Sequence, residues 1–444
     1  MNVTRRTLLL AGGTAAVTAP GLIGLMVAPE GVEVDAVRDK SLWTTQAPPL
    51  PTFNSFEGPR KVDLVVVGGG YTGLSCAYYV KKFRPDWNVM VLDSHEIGSG
   101  ASSRNSGAVY ARCVGVDHPG FADRGLTRLR EFIEQEEIDC DFTPTSTLML
   151  TRSKREAANF QSALSPGEQW IPGAELNERI NSNYYTGAVE SPNYFKIQPA
   201  KLVAGHVQAV LKVGVELFER SPALKIEYGI PAKISTPRGD VIADHVMIAT
   251  NAYTPRFGMY EHRTYPLHQY SLATRKLTSE ETKRLGLDRW TLRFESSLLP
   301  VTFSLTPTGH FFVRMVLGYA SFDSQVWKDS SGAKALAQRL FEQRYPGIRD
   351  LGLDHGWHGV TGHTPLFRPI AGVMGDGNVH ISAAYNGLGI MPGHNGGYLS
   401  ARRITGESDD DVRILTDSST RIPFPGDYYR SMMLKPVMNL MTPV

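Results

Sequence analysis

A glycine-rich turn between an apolar run and a helical run constrains this chain more than any other sequence feature. Residues 62–67 are apolar and β-branched, which is typical of a buried strand. Residues 68–73 follow at once and carry glycines at the three positions of G-x-G-x-x-G, and residues 74–83 continue as a helical pattern. A second apolar run, residues 89–92, ends at Asp93. The sequence therefore predicts a βαβ unit that opens on a glycine turn.

Each glycine of this turn has a separate physical task. Gly68 permits the tight turn, Gly70 lets the backbone approach a pyrophosphate, and Gly73 lets the helix pack closely on the strand. The start of the helix offers unpaired N–H groups and a partial positive charge to the phosphates. Asp93 lies where an acid accepts hydrogen bonds from a ribose hydroxyl. Together these features indicate a dinucleotide site.

The segment after Asp93 favours FAD over NAD. Residues 98–107, with the sequence Gly-Ser-Gly-Ala-Ser-Ser-Arg-Asn-Ser-Gly, have no large apolar side chain for a core and many donors to place along a phosphate-ribityl chain. A plain NAD domain would be expected to continue directly into a helix and a third strand. We therefore expect FAD.

Composition sets the size and excludes one class of partner. The chain has 444 residues, of which 42% are hydrophobic and 20% charged, and this suggests two or three domains. The net charge of +2, without a basic stripe carrying interleaved aromatics, argues against nucleic-acid binding. The three cysteines, Cys76, Cys113 and Cys140, match neither a zinc pattern nor a disulfide framework, so no metal is expected.

The N-terminus indicates export. Arg5 and Arg6 directly precede an uncharged, moderately apolar run that ends at Ala28, as in a twin-arginine signal. That route carries folded proteins, which suits a flavoprotein bound for the periplasm. Two alternatives stay open: the run is long enough to remain as an inner-membrane anchor, and it also resembles an ordinary Sec-type leader.

Several further segments resemble one known family. The chain is similar to the FAD-dependent amine and amino-acid oxidoreductases of the D-amino-acid oxidase, glycine oxidase and sarcosine oxidase type. The similarity is carried by residues 67–75, 98–107, 138–142, 197–199, 251–253, 357–372 and 385–389.

The resemblance implies an α/β fold, α+β overall, in which a discontinuous Rossmann-like FAD-binding domain is joined to a substrate domain with an antiparallel or mixed sheet. Aromatic alternation in residues 265–272 and 298–319 suits that second sheet. The expected division is an export signal or anchor at 1–30, an extended arm at 31–60, the FAD-binding domain at 61–115, 191–260 and 355–410, the substrate domain at 116–190 and 261–354, and a C-terminal tail at 411–444.

The resemblance also implies the chemistry and the cofactor contacts. Members of the family transfer a hydride from a carbon next to an amine nitrogen to flavin N5, and the imine then hydrolyses. The positions that match the family's FAD-binding segments are Gly68, Gly70, Tyr71, Thr72, Gly73, Asp93, Ser94, Gly100, Ala101, Ser102, Arg104, Asn105, Ser106, Gly107, Ala223, Thr250, Asn251, Gly387, Gly389 and Ile390.

Three departures from the family pattern refine these expectations. Asp93 stands where Glu is usual, which weakens the ribose assignment. The loop after it holds Arg104 and Asn105 rather than a linking histidine, and no cysteine follows Cys140, so FAD should be non-covalent. Residues 360–365 contain no arginine to clamp an α-carboxylate, which favours an amine or a longer, differently anchored amino compound.

The substrate contacts are less defined. His363 precedes a Thr-Pro turn, His268 lies on an expected sheet strand, and Tyr385 ends a strand before the last glycine turn. We treat these three as the pocket candidates, with a structural hydrogen-bonding role as the alternative for the histidines. No strong general base is required, because a neutral amine suffices for hydride transfer.

Several functional interpretations remain open at this stage. The first is an amine or amino-acid oxidoreductase that passes electrons to oxygen or to a quinone chain, and a D-amino-acid dehydrogenase is its nearest variant. The second is a flavin-bound, non-catalytic subunit of a redox assembly. The third, an NAD-linked dehydrogenase, would leave the purified protein colourless.

Overall fold

The computed structural model describes residues 40–287, 291–297, 301–320, 331–407, 409–417, 429 and 432–434. The predicted export signal, residues 31–39 of the predicted arm and most of the predicted tail lie outside these residues. Among the helices of the described ranges, none is both long and apolar enough to cross a bilayer.

The described residues form strands with the following bounds: β1 Arg60–Val67, β2 Val89–Leu92, β3 Ala108–Tyr110, β4 Thr143–Thr151, β5 Gln169–Pro172, β6 Gly187–Lys196, β7 Glu216–Phe218, β8 Lys225–Glu227, β9 Ala232–Thr236, β10 Gly239–Ile248, β11 Tyr265–Lys276, β12 Thr291–Glu295, β13 Thr302–Leu305, β14 His310–Tyr319, β15 His355–His363, β16 Ile370–Met374 and β17 Val379–Ala383.

The α-helices are α1 Leu42–Gln46, α2 Tyr71–Phe83, α3 Phe121–Gln135, α4 Lys154–Gln161, α5 Gly173–Ile180, α6 Pro199–Lys212, α7 Ser279–Arg284, α8 Ser331–Arg344, α9 Met391–Ile404 and α10 Asp410–Asp417. Short 3₁₀ helices cover Ala101–Ser103, Asn251–Phe257, Pro346–Ile348 and Pro365–Phe367.

The first sheet has eight strands and is parallel at its centre. Its order is β16-β17-β10-β1-β2-β7, with β9 added to β10 and β8 to β9. The five strands from β17 to β7 run parallel to their neighbours, whereas β16, β9 and β8 pair in the antiparallel sense. The central strands are apolar over most of their length because helices and loops cover both faces. The expected strand–turn–helix–strand unit is confirmed in β1, α2 and β2.

The second sheet has nine strands and is antiparallel except at one pair. Its order is β15-β11-β14-β13-β12-β4-β6-β3, with β5 added to β6, and β12 runs parallel to β4. The expected α/β class with two sheets is confirmed. Strands β3 and β15 belong to this second sheet although they lie in the sequence ranges expected for the FAD-binding domain. The chain therefore crosses from one sheet to the other a few residues away from the expected domain boundaries.

Alternation along β14 gives the second sheet two different faces. Phe311, Val313 and Met315 pack into the apolar cluster shared with α5 and α8. Phe312 faces the other way, against Trp43 and Trp357. This second face lies toward the first sheet and is called the inward face below.

The outward face holds a buried ion pair. The side chains of Glu295 and Arg344 are 1% and 0% exposed, and their charged groups are in direct contact. Arg344 Nη2 donates to Glu295 Oε2 at 3.2 Å, and the Tyr185 hydroxyl donates to Glu295 Oε1 at 2.9 Å. Each charge therefore has a partner, which is the condition for burying it at acceptable cost.

The segments predicted as an arm and a tail are both attached where they are described. The arm contains α1, whose Leu42 and Trp43 are buried. The tail begins within α10, whose buried Asp411 accepts hydrogen bonds from Arg124 at 2.5 Å and from Arg128 at 2.6 Å. These two contacts fix α10 to α3.

Candidate active site

The turn after β1 has the geometry that its glycines predict. Gly68 has φ +109° and donates its N–H to the Leu92 carbonyl at 2.8 Å. A Cβ at Gly73 would lie 1.9 Å from the Gly68 oxygen, so only glycine lets α2 start this close to β1. At Gly70 a Cβ would lie 2.8 Å from Ser102 Oγ, and that hydroxyl accepts from the Tyr71 N–H at 3.0 Å. Ser102 thus caps the first turn of α2.

Asp93 closes the turn from the end of β2. Its Oδ2 accepts from the Gly69 N–H at 2.8 Å, and its Oδ1 accepts from the His95 N–H at 2.9 Å. Burial raises the pKa of Asp93, although these backbone donors oppose that shift. The shorter acid is therefore held by the protein backbone itself. Neighbouring Ser94 is exposed, and its hydroxyl contacts the imidazole of His95 at 2.9 Å.

The loop of residues 98–107 is braced by its own side chains. The Ser103 hydroxyl donates to the Gly98 carbonyl at 2.7 Å, and Asn105 Nδ2 donates to the Ser102 carbonyl at 2.8 Å. Asn105 Oδ1 accepts from the Gly107 N–H at 2.8 Å. Arg104 Nε donates to the Ser99 carbonyl at 2.8 Å, and its Nη1 donates to the His358 carbonyl. Arg104 therefore ties this loop to β15.

Three consecutive carbonyls of the loop are also held from outside, by a set of donors that we call the clasp. Ser41 Oγ donates to the Ser103 carbonyl at 2.7 Å, Trp357 Nε1 to the Arg104 carbonyl at 3.1 Å, and Trp43 Nε1 to the Asn105 carbonyl at 2.8 Å. Two of these donors come from the arm and one from β15. Gln198 Nε2 in turn donates to the Trp43 carbonyl at 2.7 Å, which fixes the arm itself.

The clasp determines where the loop's N–H groups point. The C=O and N–H of one planar trans peptide point in opposite directions. Because Trp357 and Trp43 hold the carbonyls of Arg104 and Asn105, the N–H groups of Asn105 and Ser106 are turned away from the indoles. Such fixed donors suit a polar ring or chain lying along the loop.

The other expected cofactor residues follow strands of the first sheet or begin the loop. Asn251, with φ +48°, accepts at its Oδ1 from the Ala384 N–H at 3.2 Å, and Thr250 contacts Thr254 Oγ1 at 3.0 Å. These two residues follow β10, beside the turn at Gly68. Gly100 and Ala101 begin the 3₁₀ turn of the loop. Ala223 lies between β7 and β8, packed partly against the core of the first sheet, and nearby Ser221 donates its N–H to the Asp93 carbonyl at 2.7 Å.

The turn before α9 brings the two sheets together. Gly387 has φ +81°, and a Cβ there would lie 3.6 Å from His363 Cε1, 3.7 Å from Gln269 Nε2 and 3.9 Å from Arg314 Nη1. Gly389 and Ile390 complete this turn immediately before α9. The glycine turn thus lies against the inward face of the second sheet.

Tyr385 supports the cofactor side of this turn. Its hydroxyl is 3.0 Å from Thr72 Oγ1 and 2.8 Å from Ser382 Oγ, and burial raises the pKa of its phenol to about 12. The ring packs beside Gly389, Gly393 and Gly396. The hydroxyl therefore connects α2 with β17, a contact that sequence reasoning did not anticipate for a pocket-wall residue.

His363 ends a chain of hydrogen bonds on the inward face. Arg314 Nη1 donates to Gln269 Oε1 at 2.6 Å, and Gln269 Nε2 donates to Thr361 Oγ1 at 2.6 Å. Thr361 Oγ1 lies 2.9 Å from His363 Nε2. Burial, assisted by the nearby Arg314 charge, lowers the pKa of His363 to about 3, so the imidazole is neutral at physiological pH.

The structure separates the other histidine candidate from His363. His268 neighbours Gln269 on β11, and its ring contacts that of His358 at 5.5 Å. Since successive side chains of a strand alternate, His268 faces away from the chain of hydrogen bonds. Burial lowers its pKa to about 3. The side chains of His363 and His268 therefore do not lie in one common site.

Arg314 is a candidate that sequence reasoning missed. It lies on β14 within the aromatic run expected for the second sheet, where the printed sequence gives no sign of which residues face inward. The missing signal is strand pairing: β14 lies next to β11 with Arg314 opposite Ser271, close to Gln269.

The donors and the open backbone fit an FAD. The positions at Gly68, Gly70 and Gly73 leave space that a Cβ would fill, and Asp93 lies at the end of the next strand. Fixed N–H groups of the 98–107 loop follow, and the Gly387 turn lies beyond them. Within the described residues no group of three or more His, Cys, Asp or Glu side chains is arranged to hold a metal ion.

Comparison with known proteins gives the family and the fold. The family described as FAD dependent oxidoreductase (DAO) matches residues 63–403. Gamma-glutamylputrescine oxidoreductase of Escherichia coli K12, to which the motifs above also point, is 24% identical over 411 residues, covering 87% of this chain and 93% of that protein. A probable oxidoreductase, OrdL, of Rhizobium meliloti is 26% identical over 424 residues, covering 89% and 94%. Glycine oxidase from Geobacillus kaustophilus has the same fold, with a TM-score of 0.67 at 20% identity over 79% of this chain and 96% of that chain.

Proposed function

The chain belongs to the DAO family of FAD-dependent oxidoreductases, and from this premise we propose that it oxidises a C–N bond of an amine or amino acid. One arrangement carries the proposal: the turn at Gly387, expected beside the flavin, lies against the polar inward face that holds His363, Gln269 and Arg314. A substrate between them would have the cofactor on one side and fixed hydrogen-bond donors on the other.

The cofactor would carry out the redox chemistry, and the protein would hold the cofactor and the substrate in position. Bound FAD would supply the hydride acceptor for oxidation of the carbon next to the amine nitrogen to an imine, and hydrolysis of that imine by water would give a carbonyl compound and ammonia or an amine. The glycines of the first turn and Asp93 would hold the dinucleotide. Gly387, Gly389 and Ile390 would present N–H groups at the start of α9, where the helix dipole favours negative charge.

The side chains facing the substrate serve as hydrogen-bond donors rather than as a strong base. His363 is neutral and hydrogen-bonded at Nε2, and Arg314 remains a cation. The amine must arrive with a free lone pair, so bulk solvent can take the proton. We expect activity to rise with pH until the substrate amine is deprotonated.

We propose that FAD is held without a covalent bond. Loop 98–107 contains neither histidine nor cysteine. Cys76, Cys113 and Cys140 are buried in apolar clusters, and burial raises the pKa of each thiol. Acid precipitation of the yellow protein should therefore release all of the flavin to the supernatant.

Anaerobic mixing of the FAD-loaded protein with a panel of amines and amino acids tests the activity. Bleaching of the flavin band by one of them supports an amine or amino-acid oxidoreductase. Failure of every donor to bleach the band, with dithionite still reducing it, would favour a non-catalytic flavin subunit. Reoxidation with oxygen and with a soluble quinone, measured in parallel, then distinguishes an oxidase from a dehydrogenase such as a D-amino-acid dehydrogenase.

We also propose export to the periplasm by the twin-arginine route, with retention at the inner membrane as the variant in which the leader is not cleaved. The support is the position of Arg5 and Arg6 before the uncharged run. Replacing both by lysine should leave the yellow protein in the cytoplasmic fraction. Periplasmic recovery of the lysine variant at the wild-type level would contradict the proposal.

A further inference from the structure

The end of the second sheet formed by β3 and β6 carries a group of apolar side chains. Tyr110 on β3 contacts Tyr194 on β6 with ring centroids 5.5 Å apart, and it contacts Phe294 on β12 at 6.1 Å. Met149 on β4 packs in the same cluster as Phe294. These four residues are called the aromatic patch below.

Strand register places the aromatic patch on the inward face. Phe294 lies opposite Thr302, and Thr302 lies opposite Arg314, so the three side chains share one face. Strands β3 and β12 are separated by β4 and β6, about 14 Å along a flat sheet, yet the rings of Tyr110 and Phe294 are in contact. Burial raises the pKa of Tyr110, and the charge of Arg314 opposes that rise. The face is therefore concave, and the patch borders the same space as Arg314.

The patch is less covered than the apolar cluster of the outward face. Tyr110, Tyr194 and Met149 are half-buried, whereas Phe303 of the outward cluster is fully buried. Strand β3 follows the 98–107 loop directly, so this uncovered apolar surface lies next to the segment expected along the flavin. Apolar surface left open beside a cofactor site suits an apolar part of a ligand.

The described strands offer a positively charged ligand no acid on this face. Glu190 and Glu295 are the only acids on the nine described strands of the second sheet. Glu295 is held by Arg344 on the outward face. Glu190 lies opposite Leu148, which packs in the outward cluster, and it accepts two hydrogen bonds of 2.8 Å from Arg179. Both acids therefore face away from the patch and are already paired.

The charges on the inward face are positive. Besides Arg314, Lys196 lies there, opposite Ala108 of β3, and it is 8% exposed. Burial lowers the pKa of Lys196 to about 6, although the charge of Asp141 opposes the shift. A second positive charge brought to this face would meet the same cost.

One acid approaches the patch from a loop. Burial raises the pKa of Tyr194, and the charge of Glu168, just before β5, adds to that rise. Both oxygens of Glu168 are in use, because Oε2 accepts from the Ser165 N–H at 2.8 Å and Oε1 from the Ser191 hydroxyl at 2.7 Å. Glu168 therefore fixes its own loop to β6 and is not an open partner for a cation.

We propose that the substrate amine carries an uncharged, apolar substituent about the size of a phenyl ring, and that this substituent packs on the aromatic patch. The proposal rests on the proposed oxidation and narrows its substrate class. A phenyl group gains from leaving water and from edge-to-face contacts with Tyr110 and Phe294. A second ammonium group would lose its hydration beside two cations, with no open acid on the described strands. Diamines are therefore poor substrates.

Two matched series of donors test the proposal with the FAD-loaded protein. Phenylalanine, norleucine and lysine, each as both enantiomers, share one reacting group and differ in the substituent. Phenethylamine, pentylamine and 1,5-diaminopentane repeat the comparison without the carboxylate. The rate constant of anaerobic flavin bleaching should be highest for the phenyl compound, and about 100-fold lower for the aminoalkyl than for the alkyl compound. Equal or faster bleaching by the aminoalkyl compounds, or by glycine or methylamine, would overturn the proposal.

Phe294→Leu removes the ring and keeps an apolar side chain. The ratio of the phenyl to the alkyl rate constant should fall about 3- to 10-fold. Phe303→Leu is the matched control: it lies on the paired strand β13 but faces outward, so the ratio should stay within about 2-fold of the wild type, whatever happens to stability. The same ratio in both variants would assign Phe294 to the core alone and contradict the proposal.

Met149→Glu supplies the acid that the patch lacks. It should raise the rate constants of lysine and 1,5-diaminopentane at least about 10-fold relative to those of the alkyl compounds. Met149→Gln has nearly the same shape without the charge and should give no such gain. A yellow, folded Met149→Glu protein that behaves like Met149→Gln would show that the substituent does not reach the patch.

The patch and the oxidation fail in different ways. Donors that bind beside the flavin shift its absorption even when they do not bleach it, so their dissociation constants can be ordered by substituent. If no donor bleaches the flavin but the phenyl compounds bind most tightly, and Phe294→Leu removes that order, the patch stands and the oxidation fails. If donors bleach the flavin irrespective of their substituent, the oxidation stands and the patch does not.

Discussion

At the scale of single residues, the glycine turn allows the sharpest test of cofactor placement. Gly73→Ala would put a methyl carbon 1.9 Å from the Gly68 oxygen, and neither backbone segment can move without shifting β1 or α2. We expect a loss of about 1–3 kcal/mol in the free energy of unfolding and purification without flavin. Absorbance in the flavin band and urea unfolding measure both effects.

Gly347→Ala is the matched control for that variant. A Cβ at Gly347 would meet only Leu285 Cδ2, at 3.4 Å, and the residue lies in the 3₁₀ helix Pro346–Ile348, outside the expected cofactor segments. This variant should purify yellow, with wild-type stability. A Gly73→Ala protein that retains one FAD per chain would show that the close approach of α2 to β1 is not required.

The residue scale also shows why sequence reasoning succeeded at one place and missed another. Gly68, Gly70 and Gly73 act through local backbone geometry, which the spacing in the sequence encodes directly. The face on which Arg314 lies is set by the pairing of β14 with β11 across many intervening residues. His268 and Gln269 are adjacent in sequence, yet their side chains lie on opposite faces of the second sheet. Residue type alone therefore could not show which of the two faces inward.

At the scale of elements, the arm is held against the 98–107 loop rather than extending loosely from the fold. Trp43→Phe keeps an aromatic ring against Phe312 and removes only the N–H that holds the Asn105 carbonyl. Loss of one buried hydrogen bond of about 1 kcal/mol should raise the FAD dissociation constant about 5-fold. Equilibrium titration of the apoprotein with FAD gives that constant directly.

The control for the arm is Trp87→Phe. Trp87 stacks on His245 with ring centroids 5.3 Å apart, away from the 98–107 loop, so the FAD dissociation constant should stay at the wild-type value. Trp43→Phe with unchanged FAD affinity, but reduced stability of the apoprotein, would mean that the indole supports the fold and not the loop. The arm was expected to be extended, and α1 within it depends on contacts with β15 and α6 that no local pattern indicates.

Three helices are joined by a directional pair of histidines that gives the protein a pH dependence. His206 Nδ1 lies 2.8 Å from the Leu202 carbonyl and must donate to it, so its Nε2 accepts from His394 Nδ1 at 3.0 Å. His394 Nε2 then accepts from the Tyr79 hydroxyl at 3.3 Å. The chain connects α6, α9 and α2, and it requires both rings to be neutral.

Burial lowers the pKa of His206 to about 4, below its value in the unfolded chain. As pH falls, the unfolded state therefore binds the proton before the folded state does. His206 leaves the free energy of unfolding unchanged above about pH 6.5 and lowers it progressively between about pH 6.5 and about pH 4. In His206→Gln the stability lost between about pH 7 and about pH 5 should be smaller by about 2 kcal/mol. Urea unfolding at the two pH values measures the difference, and exposed His118→Gln should leave it unchanged. An unaltered difference in His206→Gln would mean that His206 does not carry this cost.

At the scale of the whole molecule, the expected cofactor contacts span almost the entire described chain. They begin at Gly68, include the loop held by the clasp, and end at Ile390. The clasp and Arg104 attach this loop to β15 of the second sheet, while Gly68 and Asp93 belong to the first. Bound FAD should therefore stabilise both sheets together.

Ligand linkage gives the size of that effect. FAD at about 100 times its dissociation constant should raise the free energy of unfolding by about 2.7 kcal/mol. If the two sheets unfold as one unit, hydrogen exchange should show this gain in the slowest amides of both β1 and β14. The arm variant adds a second comparison: Trp43→Phe should reduce the gain in both strands equally, since the loop it holds connects them. A gain confined to β1 would mean that FAD stabilises the nucleotide-binding sheet alone, and the inward face of the second sheet would then lose its role as the wall of the substrate site.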